Sequence, residues 1–451
     1  MSRVCPSRQP TALKTDFYEL TMAAGYYANG VKALRATFEL YCHKSPPERS
    51  YFIACGLEQA IDYILNLRFE DEEIEFLRSH QAFRHVPKGF FGYLKGFRFT
   101  GSIQAMREGE VFFAKEPIIQ VDAPIIEAQI LETYLMSLIH IQSLVATKAS
   151  RVVQAASSDG KKRGVVDFGS RRSHGPEAAL FAARASYIAG CIGTSNAQAA
   201  REFKIPVYGT MAHSWIEAFD REEEAFINYY KVFPENTILL IDTYDTIKGA
   251  KTAAGIKKNI KGVRLDSGDP ADLSKRVRKI LDKAGMESAK IIASGNLNEY
   301  KILELVRKKA PIDIFGVGTD MATSRDLPSL DLTYKLVQVE RGGLVKLKAK
   351  KSEGKETVPG RKQVFRLSNK DGTFSKDIIG LAAEKLPKAS EPLLAPVIED
   401  GRLIKPLPDI EAVRNYAKDR MKRLPPQCLA LRGGKYLKTE LSESIGTPYH
   451  D

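Results

Sequence analysis

Tryptophan occurs once in this 451-residue chain, cysteine five times and histidine seven times, and each scarcity excludes something. Cys5, Cys42, Cys55, Cys191 and Cys428 are scattered, odd in number and nowhere spaced Cys-x-x-Cys. That pattern argues against a disulfide framework or structural zinc site and fits a reducing cytoplasm. His43, His80, His85, His140, His174, His213 and His450 form no i, i+4 pair, so they supply no metal motif. No apolar run approaches the roughly 18–20 residues of a membrane helix, and residues 1–10 lack the apolar stretch of a signal peptide. Aromatics are dispersed and form no stacking platform for nucleic acid.

Acids are short as well, leaving a net charge of +13. Residues 341–370 carry ten Lys/Arg against Glu353 and Glu356, which is +8 of that total. Val345-Lys346-Leu347-Lys348 alternates like a strand whose lysines guard an exposed edge. A field that draws in multiply anionic small molecules explains the charge better than a nucleic-acid partner does.

What the chain has in abundance is strand–loop–helix repetition. Strand candidates at 165–168, 207–209, 238–242, 262–265, 291–294 and 314–317 alternate with helix candidates at 177–189, 196–203, 215–230, 244–254, 271–284 and 298–309. Such alternation indicates βαβ units and a parallel sheet. Ahead of it lie a helix within 12–30, a strand at 35–41, a helix at 56–67, strand-like sequence at 97–121 and a long helical stretch at 124–156. Behind it come β-hairpins at 334–340, 344–350 and 363–367 and a helix near 410–423. The expected fold is α/β. An incomplete (β/α) barrel of six to seven strands is joined to a discontinuous, β-rich α/β sandwich domain built from both termini. The expected divisions are 1–135, 136–335 for the barrel and 336–451.

Polar clusters follow the strands, where the loops of such folds build active sites. They are Phe168-Gly169-Ser170-Arg171-Arg172, Gly209-Thr210-Met211-Ala212-His213-Ser214, Arg264-Leu265-Asp266-Ser267-Gly268-Asp269-Pro270, Ser294-Gly295-Asn296 and Gly316-Val317-Gly318-Thr319-Asp320. Five such clusters on one rim point to an enzyme acting on a phosphorylated, anionic substrate. Gly316, Gly318 and Thr319 suit a phosphate cradle, or more simply a tight turn. Asp266 and Asp269 suit ribose hydroxyls or a magnesium ion carried by a diphosphate, although Asp269 before Pro270 also matches a helix N-cap. Arg171 and Arg172 suit planar anions, a surface pair being the plainer reading. His213, in a small-residue loop, suits base or nucleophile better than metal ligand.

Taken together, these motifs with Thr15-Asp16-Phe17-Tyr18 resemble the nicotinate phosphoribosyltransferases of the type II phosphoribosyltransferase fold, over about residues 12–340. The resemblance implies ligase-type synthesis of nicotinate mononucleotide from nicotinate and phosphoribosyl pyrophosphate, coupled to ATP hydrolysis, with Mg²⁺ and ATP required. It implies a transient phosphohistidine at His213 and a pyridine ring stacked between Phe168 and Tyr18 of the partner subunit in a homodimer. Arg264 would face the base and Asp266 the ribose; Gly316, Gly318 and Thr319 would surround the 5′-phosphate. Arg171, Arg172, Ser214, Asp269, Ser294, Gly295 and Asn296 would complete the substrate site. A cytoplasmic enzyme with no nucleic-acid or membrane partner is implied.

Three other readings compete. Nicotinamide phosphoribosyltransferases resemble the chain but carry aspartate where Ser195 stands, and usually glycine in place of Arg172. A carboxylate accepts the amide of nicotinamide and repels the carboxylate of nicotinate, so serine favours nicotinate. Quinolinate phosphoribosyltransferases are shorter and lack the Gly-Thr-Met-Ala-His-Ser loop. A non-catalytic binding protein on the same fold would not need every polar cluster intact.

Overall fold

The computed structural model describes residues 12–256, 258–350, 357–384 and 389–446; Cys5, His450 and residues 351–356 of the basic segment lie outside them. The chain divides into two compact units, Met1–Leu144 with Ser329–Asp451, and Val145–Pro328.

The second unit is built on a six-stranded parallel sheet. Its order is Gly193–Thr194, Gly164–Asp167, Ile314–Val317, Lys290–Ala293, Gly262–Leu265 and Ile238–Leu240. The first strand in sequence therefore pairs with the last: Gly164 stands opposite Ile314 and Asp167 opposite Val317. Val165, Val166, Leu239, Leu240, Ile291, Ile292 and Phe315 are buried, as expected of parallel strands buried on both faces. Side chains start those helices. Asn196 accepts from Ala199 N, Asp245 from Lys248 N, Asp269 from Ala271 N and Asn298 from Lys301 N, which satisfies amides that a helix start leaves unpaired.

Two expectations need correcting. The strand at 207–209 is an isolated parallel bridge, Thr194 to Val207; exposed Pro206, Val207 and Gly209 give it little to bury. The helix at 215–230 is two, His213–Glu217 and Glu222–Val232. The second starts at Glu222-Glu223-Glu224, acids that favour a helix N-terminus.

In the first unit a seven-stranded antiparallel sheet interleaves both ends of the chain. Arg35–Cys42 lies between Leu332–Arg341 and Pro117–Pro124, and Ser102–Met106 lies beside Leu394–Glu399. Leu344–Leu347 forms one edge, exposed along its whole length. A four-stranded sheet contains Lys362–Ser368 and Phe374–Leu381. Helices Asp71–Ser79 and Gly89–Lys95 were not legible in the sequence. The stretch 125–156 is long and apolar enough to cross a membrane by length and composition, but 67% of its most apolar window is buried within the protein. Cys42, Cys55, Cys191 and Cys428 are buried.

Candidate active site

The rim of the parallel sheet is organised from buried acids outward. Asp167 ends its strand fully buried. It accepts the Gly169 amide at 2.8 Å and the Thr194 hydroxyl at 2.7 Å, and burial raises its pKa above the usual carboxylate range. These bonds fix the turn that presents Phe168, whose own amide donates to Val317 O at 2.9 Å. Gly316 on the neighbouring strand leaves room for the ring: a methyl group there would stand 2.4 Å from Phe168 Cδ2. Gly318 passes close to the Phe168 carbonyl, 3.0 Å from where its Cβ would be.

A polar chain runs on from this aromatic floor. Ser294 Oγ donates to Asp266 Oδ1 at 2.5 Å, and Arg264 Nη2 lies 3.8 Å from the same oxygen. Arg264 Nη1 donates to Thr210 Oγ1 at 2.5 Å, tying this strand end to the loop that carries His213. Burial lowers the Arg264 pKa, partly offset by Asp266 and Asp242, and the nearby Arg171 lowers it further. Arg171 and Arg264 thus stand close enough to repel, a pairing that an anion would relieve. His213 Nδ1 lies 3.1 Å from Thr243 Oγ1. Gly295 adopts φ +86 where the backbone passes Asp266: a Cβ there would lie 2.1 Å from the Asp266 carbonyl. That position admits only glycine.

The remaining candidates divide. Arg172, Ser195 and Ser214 are exposed: Arg172 ends the 3₁₀ turn Ser170–Arg172, Ser214 lies in the helix His213–Glu217, and Ser195 follows its strand with its amide donating to Asp167 O at 2.8 Å. Thr319 opens the short helix Thr319–Ala322, and Asn296 holds φ +49 while its carbonyl accepts from Lys301 Nζ at 2.7 Å. Asp269 Oδ1 accepts the Ala271 amide at 2.9 Å and caps the helix Pro270–Lys283. Tyr18 belongs to the other unit, on the helix Phe17–Ala28. It is 45% exposed, and burial of its hydroxyl and the nearby Glu132 raise its pKa.

Sequence reasoning missed Thr243 and Asp242. Asp242 Oδ2 accepts both the Asp266 amide and the Ser267 hydroxyl at 2.7 Å, so it sets the Asp266 turn. Its other oxygen, Oδ1, is buried without a hydrogen-bond partner. The rule that picked the other clusters, polar residues just past a strand, would have found this pair after Ile238–Leu240. Among the described residues no group of three or more His, Cys, Asp or Glu side chains could hold a metal ion. An open carboxylate oxygen on Asp242, with Asp266 beside it, does fit a magnesium ion that brings its other ligands with a diphosphate.

Fold and rim together define an α/β enzyme with polar clusters at its strand ends. Comparison with known proteins is specific. Family models of the nicotinate phosphoribosyltransferase N-terminal domain, the nicotinate phosphoribosyltransferase family and its C-terminal domain match residues 13–140, 164–360 and 386–447. A Mycobacterium tuberculosis nicotinate phosphoribosyltransferase is 44% identical over 94% of this chain and 90% of its own length. One from Bacillus subtilis is 38% identical over 83% and 77%. The crystal structure of human nicotinic acid phosphoribosyltransferase superposes with a TM-score of 0.85 at 28% identity, over 96% of this chain and 98% of that one. The chain belongs to the nicotinate phosphoribosyltransferase family.

Proposed function

We propose that this enzyme joins nicotinate to phosphoribosyl pyrophosphate, giving nicotinate mononucleotide and pyrophosphate for NAD biosynthesis, with ATP hydrolysis coupled through a phosphohistidine at His213. The observation that carries this reading is the Phe168 ring held edge-on against Gly316, next to the Ser294–Asp266–Arg264 chain. An aromatic floor, a carboxylate and a guanidinium within one turn of each other match a flat, anionic base meeting a ribose.

In this reading the pyridine ring lies on Phe168 and its carboxylate faces Arg264 and Arg171, which gain an anion between two repelling cations. The pyridine nitrogen attacks the anomeric carbon as the bond from that carbon to the pyrophosphate oxygen breaks. Its lone pair becomes the new C–N bond, and pyrophosphate leaves with the electrons of the old one. Asp266, held by Asp242 and Ser294, lies where positive charge develops on the ribose. Gly316, Gly318 and Thr319 cradle the 5′-phosphate. Asp242 and Asp266 would hold magnesium, which when bound neutralises the departing diphosphate. With Nδ1 against Thr243, His213 Nε2 is the nitrogen that takes the γ-phosphoryl group, releasing ADP.

The architecture proposed with it is an incomplete barrel. The first strand closes on the last, and the segment at Val207 stands where a further strand would complete the ring. The flanking β-rich domain is formed from both termini. The working unit is a homodimer in which Tyr18 of the partner subunit covers the base. Exposed Phe17, Tyr18 and Met22 on one helix support that assignment. The enzyme works in the cytoplasm with no nucleic-acid or membrane partner. Release of pyrophosphate from phosphoribosyl pyrophosphate, assayed with nicotinate and nicotinamide in parallel, tests the reading: nicotinate should support turnover and ATP should stimulate it. Preference for nicotinamide, or no release with either base, would overturn it.

A further inference from the structure

The long helix Glu132–Ala156 buries a lysine in the middle of an apolar turn, Val145-Ala146-Thr147-Lys148-Ala149. The Lys148 side chain is 0% exposed, and three acids meet its ammonium. Glu299 Oε2 lies at 2.6 Å, Asp326 Oδ1 at 2.8 Å and Asp320 Oδ1 at 3.5 Å. The Glu299 contact is one of charge and distance, since that oxygen has no aligned hydrogen bond. Glu299 is itself fully buried and is gripped from its other oxygen by Arg151 Nε at 3.2 Å, one turn along the same helix.

The positions of these acids in the chain give the cluster its meaning. Glu299 is the first residue of the helix that follows Ser294-Gly295-Asn296, and Asp320 immediately follows Gly316-Val317-Gly318-Thr319. Asp326 lies a few residues further on. One buried cation therefore ties together the loops after two adjacent strands, Lys290–Ala293 and Ile314–Val317. Asp320 and Asp326 also line a polar cavity of about 560 Å³ with Asn296, Asn298, Lys301 and Arg325. An apolar side chain would fill the same volume at no desolvation cost; what the ammonium adds is three fixed charge contacts. Removing it leaves three acids to repel one another, and the loops they belong to would part.

We propose that Lys148 is a positioning residue for phosphoribosyl pyrophosphate, setting the spacing between the Ser294–Asn296 and Gly316–Thr319 loops from beneath. The inference rests on the functional reading above, and calorimetric binding of phosphoribosyl pyrophosphate separates the two because it needs no turnover. Misplacing a binding loop by about an ångström costs up to about a hundredfold in rate or affinity. Lys148→Met should weaken phosphoribosyl pyrophosphate binding and raise its KM by about tenfold or more, while the nicotinate KM moves by less than about twofold. Lys148→Arg, which keeps the charge, should restore part of the loss. Asp326→Asn spares the Glu299 contact; it should shift binding in the same direction by a smaller factor and carries the test if Lys148→Met does not fold. Unchanged phosphoribosyl pyrophosphate affinity in folded Lys148→Met or Asp326→Asn would overturn the proposal. So would an equal rise in both KM values tracking a lower Tm. A wild-type protein that binds phosphoribosyl pyrophosphate yet turns over no nicotinate would instead overturn the functional reading.

Discussion

Gly316 lies against one edge of the Phe168 ring: a methyl group on its Cα would stand 2.4 Å from Phe168 Cδ2 and 3.3 Å from Ser294 Cβ. The placing of the ring proposed to carry the base is therefore set by the absence of a side chain. Gly316→Ala should tilt the ring and remove a stacking contact worth on the order of 1 kcal/mol, about fivefold in nicotinate KM. Steady-state kinetics on the variant, with its far-UV spectrum checked against the parent, would show this. An unaltered nicotinate KM would mean that Phe168 does not carry the base.

His213→Ala should abolish nicotinate-linked ATP hydrolysis and acid-labile incorporation of phosphate, leaving slow, ATP-independent nucleotide formation. Radiolabelled ATP followed through acid and base quenching distinguishes a phosphohistidine from a phosphoester. Continued ATP hydrolysis in step with product would assign the phosphoryl group elsewhere.

The Ser195 side chain is exposed at its strand end, its amide anchored on the Asp167 carbonyl. Ser195→Asp adds a charge that repels a carboxylate and accepts an amide, so the ratio of kcat/KM for nicotinate over nicotinamide should fall by about tenfold. Equal discrimination in parent and variant would show that selectivity lies with the arginines instead.

Tyr18→Ala should raise the nicotinate KM. If Tyr18 serves the neighbouring subunit, mixing Tyr18→Ala with His213→Ala chains should regenerate some intact sites. Activity in mixed dimers, isolated with two different affinity tags, measures that recovery; its absence would confine each site to one chain.

Glu19 is buried in the helix Phe17–Ala28 and accepts from the Thr133 amide at 3.0 Å and from the Thr15 hydroxyl at 2.5 Å. Burial outweighs these bonds and raises its pKa from 4.5 to about 7. The folded state then keeps a proton that the unfolded chain releases, so this group's contribution is fully present below pH 4.5. It is lost as pH rises to about 7. Glu19→Gln, which cannot titrate, should gain stability relative to the parent across that window, by at most about 3 kcal/mol. Denaturant melts at pH 5 and pH 8 would check the sign; a constant difference would show that Glu19 does not titrate there.

Much of the catalytic unit was readable because parallel strands leave apolar runs and their ends leave polar clusters. Phe168, Arg264, Asp266, Ser294 and His213 all stood out on that rule. The capping role of Asp269 was equally legible, since Asp before Pro has few other uses. The 207–209 segment misled because a short apolar run looks alike whether or not a neighbour pairs with it. Lys148 escaped for a different reason: its partners are distant in sequence, and an isolated lysine on a helix reads as surface. In the other unit, short strands such as Phe52–Ile53 carry too little pattern to be seen before their partners are known.

The bridge at Val207 bears on how the enzyme would cycle. Between Thr194 and Ile238 the backbone joins the sheet through that bridge, the paired amides beside it, Thr194 to Pro206 and Tyr208 to Thr194, and a bond near each end, Ser195 to Asp167 and Lys261 to Thr237. The loop bearing His213 is otherwise moored by side chains, the Tyr229 hydroxyl on the Thr210 carbonyl at 3.1 Å and Arg264 on the Thr210 hydroxyl. The residue proposed to gain and shed a phosphoryl group thus follows a segment joined to the sheet by few backbone bonds. In the proposed cycle, charge arriving at His213 can be accommodated by re-forming these side-chain ties and the His213–Thr243 contact, while the paired strands keep their register.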